Sequence, residues 1–187
     1  MTIAAASLTG LPNNHLSFDL PIANVLHTST PHYWREAEPG ESEEQFASRL
    51  AGDLEKLILA EGPETIAAFF GEPIMGAGGV IVPPVGYWEK IQSVLSKYDI
   101  LLVADEVICG FGRTGEMFGS QTFGIRPDIM VLSKQISSSY LPISALLIKR
   151  GCSSRLRTRA TASARSGMAS RAVAIPWPPP WRWRISS

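Results

Sequence analysis

Two charged residues of this chain each follow a short apolar run, and together they could hold one reactive ligand. Asp105 ends the run that starts at Ile100, and Lys134 follows the run 129–132 after one serine. Short uninterrupted apolar runs rich in branched residues are typical of strands that are covered on both faces. Because ligands of open parallel sheets collect beyond the carboxyl ends of the strands, we expect the carboxylate and the amine to face one cavity. Such a pair suits a ligand that carries both a basic ring nitrogen and an aldehyde.

The elements that position these residues alternate between strands and helices. A capping box at Ser42 and Gln45 opens a helix that runs to Glu61, with apolar residues on one face at helical spacing. A second helix is predicted over 86–97, and the glycine-rich run 71–79 is predicted to let the backbone approach a ligand or another chain closely. Strands are predicted at 65–70, 100–104, 129–132 and 143–148, and the loop-rich segment 1–31 is predicted to hold one or two short strands at most. This alternation predicts an α/β fold with a mainly parallel sheet and flanking helices.

Several spaced motifs resemble those of one enzyme family. The run DEVICGFGRTG at 105–115, followed by Pro127-Asp128 and then by Lys134, closely resembles the signature of the class III (omega) aminotransferases, which use pyridoxal 5'-phosphate. Supporting motifs are found at 7–10, 31–34, 40–44 and 71–79. They are similar to the subgroup that transfers amino groups between omega-amino compounds and pyruvate. The resemblance covers residues 2–148 and is specific, because the motifs agree in their order along the chain.

The resemblance assigns roles to four residues. Asp105 would contact the ring nitrogen of pyridoxal phosphate and keep it protonated, and Lys134 would condense with the aldehyde and then act as the catalytic base. Val107 would pack against a face of the ring, and Glu72 would lie on the substrate side. The implied activity is transamination of an omega-amino compound with pyruvate or another oxo acid.

The resemblance also implies a fold and an assembly. Residues 1–149 would form part of the large domain of a fold type I transferase dependent on pyridoxal phosphate, with the strand 143–148 running antiparallel. The full-length family is expected to be a homodimer. Its phosphate-binding loop, a threonine from the partner subunit and an arginine for the substrate carboxylate would come from sequence outside this chain. We therefore expect the chain alone to show weak or no activity, and a non-catalytic remnant is the alternative.

Plainer explanations exist for each of these candidates. An acid after a buried strand is often a helix cap or a turn residue, a lysine among serines is usually solvated, and a valine there can belong to the core. Glu72 can be a turn acid before Pro73. The pair Asp105-Glu106 also resembles the Walker B end of an ATPase strand, although no matching P-loop precedes it.

Bulk properties argue against several classes of function. The 187 residues are 45% hydrophobic with zero formal net charge, which is typical of one globular domain and does not point to nucleic acid or membrane partners. Two cysteines without paired spacing, and no apolar run near ~18 residues, predict a cytoplasmic protein. His15, His27 and His32 lack metal-ligand spacing, so we expect no metal site.

The C-terminal part of the sequence differs in character from the rest. Seven of the 17 basic residues and none of the 17 acidic ones lie from Gly151 onward, so this tail is at +7 and residues 1–150 are at −7. Residues 150–187 lack helical or strand periodicity, and we expect a disordered basic tail rich in Pro, Trp and Arg. Such a tail could bind nucleic acid or membrane, but we favour an out-of-frame origin. With suitable codons, loss of one base from the family-like run HPVAAAVALE yields residues 175–184.

Overall fold

The computed structural model of the chain describes residues 2–152. The chain divides into two units, Met1–Lys149 and Arg150–Ser187, and every element named below belongs to the first. Beyond Cys152, the tail that we predict to be disordered and out of frame lies outside the described residues. The elements in chain order are α1 (Ile3–Leu8), α2 (Tyr33–Glu36), α3 (Glu43–Glu61), β1 (Ala68–Gly71), α4 (Tyr87–Lys97), β2 (Leu101–Asp105), α5 (Gly119–Thr122), β3 (Ile129–Leu132) and β4 (Ala145–Ile148).

The four strands form one sheet in the order β1-β2-β3-β4. The pairs β1–β2 and β2–β3 are parallel, and β3–β4 is antiparallel. The predicted α/β class, the mainly parallel sheet and the antiparallel last strand are therefore confirmed. Because parallel strands end on the same side, the last residues of β1, β2 and β3 lie together with the segments 72–79, 106–118 and 133–144 that follow them. We call this part of the molecule the site end.

Helices α3 and α4 form a helical layer that builds the core. The predicted capping box is present, since Ser42 Oγ accepts from the Gln45 N–H at 3.2 Å and Gln45 Oε1 accepts from the Ser42 N–H at 2.9 Å. Each large apolar side chain removed from water contributes about 1.5–3 kcal/mol to the stability of the fold. The buried cluster joins both helices to the start of β2 and includes Phe46, Leu50, Leu54, Ile58, Trp88, Ile91, Leu95, Ile100 and Leu102.

Two local predictions were wrong. The first strand begins at Ala68 and not at 65, because Pro63–Thr65 forms a 3-10 turn after Gly62, whose φ is +88°. The segment before residue 31, predicted to hold at most short strands, contains helix α1. The Thr2 side chain caps it by accepting from the Ala5 N–H at 3.2 Å. No helix within residues 2–152 is both long and apolar enough to cross a membrane.

Candidate functional site

Asp105 lies at the carboxyl end of β2, which has a parallel neighbour on each side. Its side chain is half-buried, and Oδ1 accepts a hydrogen bond from the backbone N–H of Val107 at 3.0 Å. Asp105 is thus a turn residue, as the plainer explanation proposed. Within residues 2–152 no other donor is hydrogen-bonded to this carboxylate, so Oδ2 is available for a ligand.

Lys134 follows β3 after Ser133 and begins the 3-10 turn Lys134–Ile136. Its φ is +48°, in the left-handed region that costs a residue with a side chain about 1 kcal/mol or more. The side chain is exposed, and its Nζ makes no hydrogen bond or ion pair with any group in residues 2–152. An amine without a hydrogen-bond or ion-pair partner among these residues, on a backbone held in a sparsely populated conformation, is available to bind a ligand.

Glu72 is the first residue after β1, and its pKa responds to the charges of Asp105 and Lys134. In the sheet register Gly71 is paired with Ala104, which places Glu72 beside the end of β2. The carboxylate is half-buried and accepts from the Gly76 N–H at 2.8 Å. Burial raises the pKa of Glu72 and the negative charge of Asp105 raises it further, whereas the Gly76 hydrogen bond and the positive charge of Lys134 oppose the rise.

The register of the sheet places these three residues at one end of neighbouring strands. Glu72 follows Gly71, which is paired with Ala104, so Glu72 lies next to Asp105 at the strand ends. The register of β2 and β3 agrees, because Asp105 is paired with Val131, three residues before Lys134. The structure therefore brings the predicted acid, the predicted amine and Glu72 together at the site end.

Val107 lies in the loop after β2, half-buried, two residues beyond Asp105. This loop packs closely on the glycine-rich segment after β1. A Cβ on Gly76 would lie 2.7 Å from Cγ1 of Ile108, so only glycine fits there without movement. The predicted close approach of the glycine-rich run is thus made to another part of the same chain.

The sequence reasoning missed the role of Glu106. This residue is 0% exposed, and its carboxylate accepts from the Gly119 N–H at 2.9 Å, the Ser120 N–H at 2.6 Å and the Ser120 hydroxyl at 2.5 Å. A buried carboxylate needs such donors, because removal of its charge from water is otherwise very costly. The only signal in the sequence was an acid at the end of a buried strand. Nothing local indicated partners 13 and 14 residues away.

A cavity of about 570 Å³ opens beside Lys134. Its lining includes Ser133, Ser137, Leu141 and Ile143, but neither Asp105 nor Glu72. Two of the serine hydroxyls are already engaged, since Ser137 Oγ donates to Leu141 O at 2.7 Å and Ser133 Oγ donates to Ile143 O at 3.4 Å. The cavity therefore gives access to the amine but does not by itself outline a complete ligand site.

The histidines of the N-terminal region have local roles. His15 Nε2 donates to the carbonyl oxygen of Ala6 at 2.9 Å, and its ring lies 5.8 Å from that of His27. Within residues 2–152 no group of three or more His, Cys, Asp or Glu side chains is placed to hold a metal ion.

The family model described as "Aminotransferase class-III" matches residues 2–175 of the chain. The chain belongs to the class-III aminotransferases. Among solved structures of this family, an omega transaminase from Pseudomonas jessenii in complex with PMP superposes with a TM-score of 0.83 and 64% identity, over 92% of this chain and 37% of that one. A structure described as "Transaminase with L-ala" gives a TM-score of 0.83 with 66% identity, over 92% of this chain and 40% of that one.

Curated relatives in the family carry one activity in their names. The chain is 63% identical to "Gamma aminobutyrate transaminase 1, mitochondrial" of Solanum lycopersicum over 147 residues. These residues are 79% of this chain and 28% of that protein. The chain is also 63% identical to "Probable gamma-aminobutyrate transaminase 2, mitochondrial" of Oryza sativa subsp. indica, over 79% of this chain and 30% of that protein. The chain thus spans less than a third of the length of these relatives.

The residues of the site end fit the cofactor of the class-III aminotransferases, pyridoxal phosphate. The ring nitrogen needs a carboxylate, and Asp105 has one oxygen without a hydrogen bond from residues 2–152. The aldehyde needs an amine, and Lys134 offers one that has no ion pair within the same residues. The Walker B alternative does not fit, because the Glu106 carboxylate is buried and occupied by three donors and cannot orient a water.

Proposed function

We propose that residues 1–149 are the cofactor-binding part of an aminotransferase that moves an amino group from an omega-amino compound to pyruvate or another oxo acid. One observation carries the proposal: the Asp105 carboxylate ends one strand, the Lys134 amine follows the adjacent parallel strand, and both therefore lie at the same end of the sheet. When bound there, pyridoxal phosphate would supply an electron sink for the amine-bearing carbon of the substrate.

Asp105 would hold the cofactor's ring nitrogen in its protonated form. A carboxylate next to a basic nitrogen favours the charged state of that nitrogen. The Val107 N–H fixes one carboxylate oxygen at 3.0 Å and thereby leaves the other for the ring. Val107 itself would contact the ring face.

Lys134 would bind the aldehyde carbon of the cofactor through Nζ. Once the amine of the substrate has replaced it at that carbon, the freed Nζ would move a proton from the amine-bearing carbon of the substrate to the cofactor. Glu72 would lie on the substrate side of the site, where burial raises the pKa of its carboxyl group.

The proposed substrates follow from the names of the relatives. Two relatives are gamma-aminobutyrate transaminases, and one solved transaminase was studied with L-ala. Gamma-aminobutyrate carries its amine at the end remote from the carboxylate, and alanine is the amino form of pyruvate. We therefore propose an omega-amine donor and a small oxo acid as acceptor.

The activity is proposed for the whole protein of which these residues form a part. The relatives are more than three times as long as the segment that they share with this chain, and a homodimer is proposed for the full length. For the isolated chain we propose cofactor binding with weak or no turnover. A non-catalytic remnant remains the alternative, and the exposed apolar side chains of β4 favour it, since Leu146 is 61% exposed.

Trapping of the cofactor on its lysine tests the proposal directly. The purified chain is mixed with pyridoxal phosphate, reduced with borohydride and digested, and the modified peptides are identified by mass spectrometry. We expect the cofactor mass predominantly on Lys134, and the Lys134→Ala variant should lose it.

Lys56 is the matched control for this experiment. Its side chain is 80% exposed and lies on α3, away from the site end. Lys56→Ala should leave the modification of Lys134 unchanged. Equal modification of Lys56 and Lys134 in the original chain would contradict the proposal, because exposure alone would then explain the reaction.

Two further parts of the proposal concern the tail and the location. We propose that residues 150–187 are out of frame, and the nucleotide sequence tests this: restoring a base near codon 149 should recover a family-like continuation.

We also propose a cytoplasmic location, supported by the free thiols of Cys109 and Cys152. Two relatives are named as mitochondrial proteins. Fractionation of the source cells therefore decides between a cytoplasmic and a mitochondrial location.

A further inference from the structure

Asp105 and Glu106 are neighbouring carboxylates with very different surroundings. Asp105 is half-buried with a single hydrogen bond from residues 2–152, whereas Glu106 is 0% exposed with three. The Glu106 donors are the Gly119 N–H and both the N–H and the hydroxyl of Ser120. These residues lie at the far end of the loop that begins directly after Asp105. Glu106 therefore closes this loop by joining its start to its end.

The backbone of Glu106 is held as firmly as its side chain. Its N–H donates to Val131 O at 3.0 Å, which extends the pairing of β2 and β3 by one residue. Its carbonyl oxygen accepts from the Gly110 N–H at 2.8 Å. Since successive side chains of an extended segment point to opposite sides, anchoring Glu106 inward directs Asp105 toward the other side.

One hydrogen bond connects this anchor to the proposed site. The Val107 N–H, the next donor along the chain, is the group that holds Asp105 Oδ1 at 3.0 Å. Val107 lies between the fixed residue 106 and the Gly110 N–H that binds back to Glu106 O. Movement of the loop would therefore shift the Val107 N–H and release the Asp105 carboxylate.

We propose that Glu106 is the positioning residue for Asp105. By binding the Gly119 and Ser120 donors it holds the loop so that Val107 keeps one Asp105 oxygen in place and leaves the other for the ring nitrogen of the cofactor. The effect of Glu106 on cofactor binding rests on the proposed function. The coupling between Glu106 and Asp105 does not, because it involves only residues of the protein.

Glu106→Gln tests the coupling with little change in shape. The amide nitrogen of glutamine cannot accept a hydrogen bond, so one backbone N–H of Gly119 or Ser120 loses its acceptor. Hydrogen exchange of the Val107 N–H is the first readout and needs no cofactor. We expect this exchange to become about tenfold faster, the size expected for loss of one hydrogen bond to a charged group.

The second readout is the pH titration of the ring nitrogen of bound pyridoxal phosphate, followed by nitrogen NMR of isotope-labelled cofactor. A displaced Asp105 stabilises the protonated ring less, so the midpoint of this titration should move to lower pH. A purely structural role of Glu106 would lower the melting temperature without moving this midpoint. Glu116→Gln, the same substitution at an exposed loop residue, is the control and should change neither readout.

The outcomes separate this inference from the proposed function. Faster Val107 exchange with a shifted midpoint supports both. If the chain does not bind pyridoxal phosphate, the proposed function fails, and Val107 exchange alone decides the coupling. Unchanged Val107 exchange in folded Glu106→Gln would overturn the inference. If that variant does not fold, Ser120→Ala replaces it in the test, because this substitution removes only the hydroxyl donor. It should accelerate Val107 exchange by a smaller factor, and unchanged exchange would overturn the inference.

Discussion

The helical layer and the site end of this protein are held together in different ways. In the helical layer, α3 and α4 bury a continuous apolar cluster against β2, and Phe46 is 0% exposed. At the site end, large apolar side chains reach solvent, and Tyr140 is 89% exposed. The loops there are held by backbone N–H groups that donate to acidic side chains, as in Gly76 to Glu72 and Val107 to Asp105.

This difference separates the part of the molecule that stabilises the fold from the part that would carry out the chemistry. Apolar burial is non-directional and gives most of the folding free energy, whereas a hydrogen bond to a carboxylate fixes the direction of one group. The site end also contains non-glycine residues with left-handed backbone, among them Lys134, Ser138 and Ser139. A region that carries strain and exposed apolar surface depends on the rest of the fold for its shape.

The largest expected effect is the difference in stability between two aromatic truncations, one in each region. Phe46→Ala should lower the free energy of unfolding by about 3–5 kcal/mol, because it leaves a cavity in the core. Tyr140→Ala should change it by less than about 0.5 kcal/mol, as for other exposed residues. Urea denaturation followed by circular dichroism measures both values. A large loss for Tyr140→Ala would show that another part of the protein or a second chain covers this side chain.

Two glycine substitutions should have opposite signs. A Cβ on Gly119 would lie 2.8 Å from Cβ of both Cys109 and Pro73, so Gly119→Ala should cost about 1–3 kcal/mol through overpacking. Gly52, inside α3, has nothing within 4 Å of the added Cβ, so Gly52→Ala should stabilise the fold by about 0.5–1 kcal/mol. Melting temperatures of the two variants give the comparison. Equal destabilisation would show that the loop at Gly119 is no tighter than the helix surface.

The smallest expected effects are changes in the pH dependence of stability. In the helical region, Arg49 hydrogen-bonds to Glu41 and lowers the pKa of that carboxyl from 4.5 to about 2. A lowered folded pKa adds stability above 4.5 that is lost as the pH falls toward 2. At the site end, burial raises the pKa of Glu72, so ionisation of this residue above 4.5 reduces stability.

Substitution of each residue by glutamine tests these signs. Glu41→Gln should remove part of the loss of stability in acid, and Glu72→Gln should remove part of the loss on raising the pH above 4.5. Thermal melting at a series of pH values measures both. If Glu72→Gln leaves the profile unchanged, its carboxylate is solvated and the two regions do not differ in this respect.

Local patterns predicted the helical layer better than its surroundings. The capping box at Ser42 and the apolar stripe of α3 depend on residues three or four apart, and both are found in the structure. The start of β1 was misplaced because the 3-10 turn at Pro63–Thr65 depends on how the chain leaves α3. Helix α1 was missed, although its Thr2 cap is a recognisable signal.

Sequence alone established the family signature, the parallel sheet and the exit of Asp105 and Lys134 from two strand ends, because periodicity and strand direction are encoded locally. Only the tertiary structure showed that Glu72 lies beside the end of β2 and that Glu106 has its partners across a loop. These relations join residues that are far apart along the chain. Their distances and burial depend on how the strands and loops pack, which no local pattern specifies.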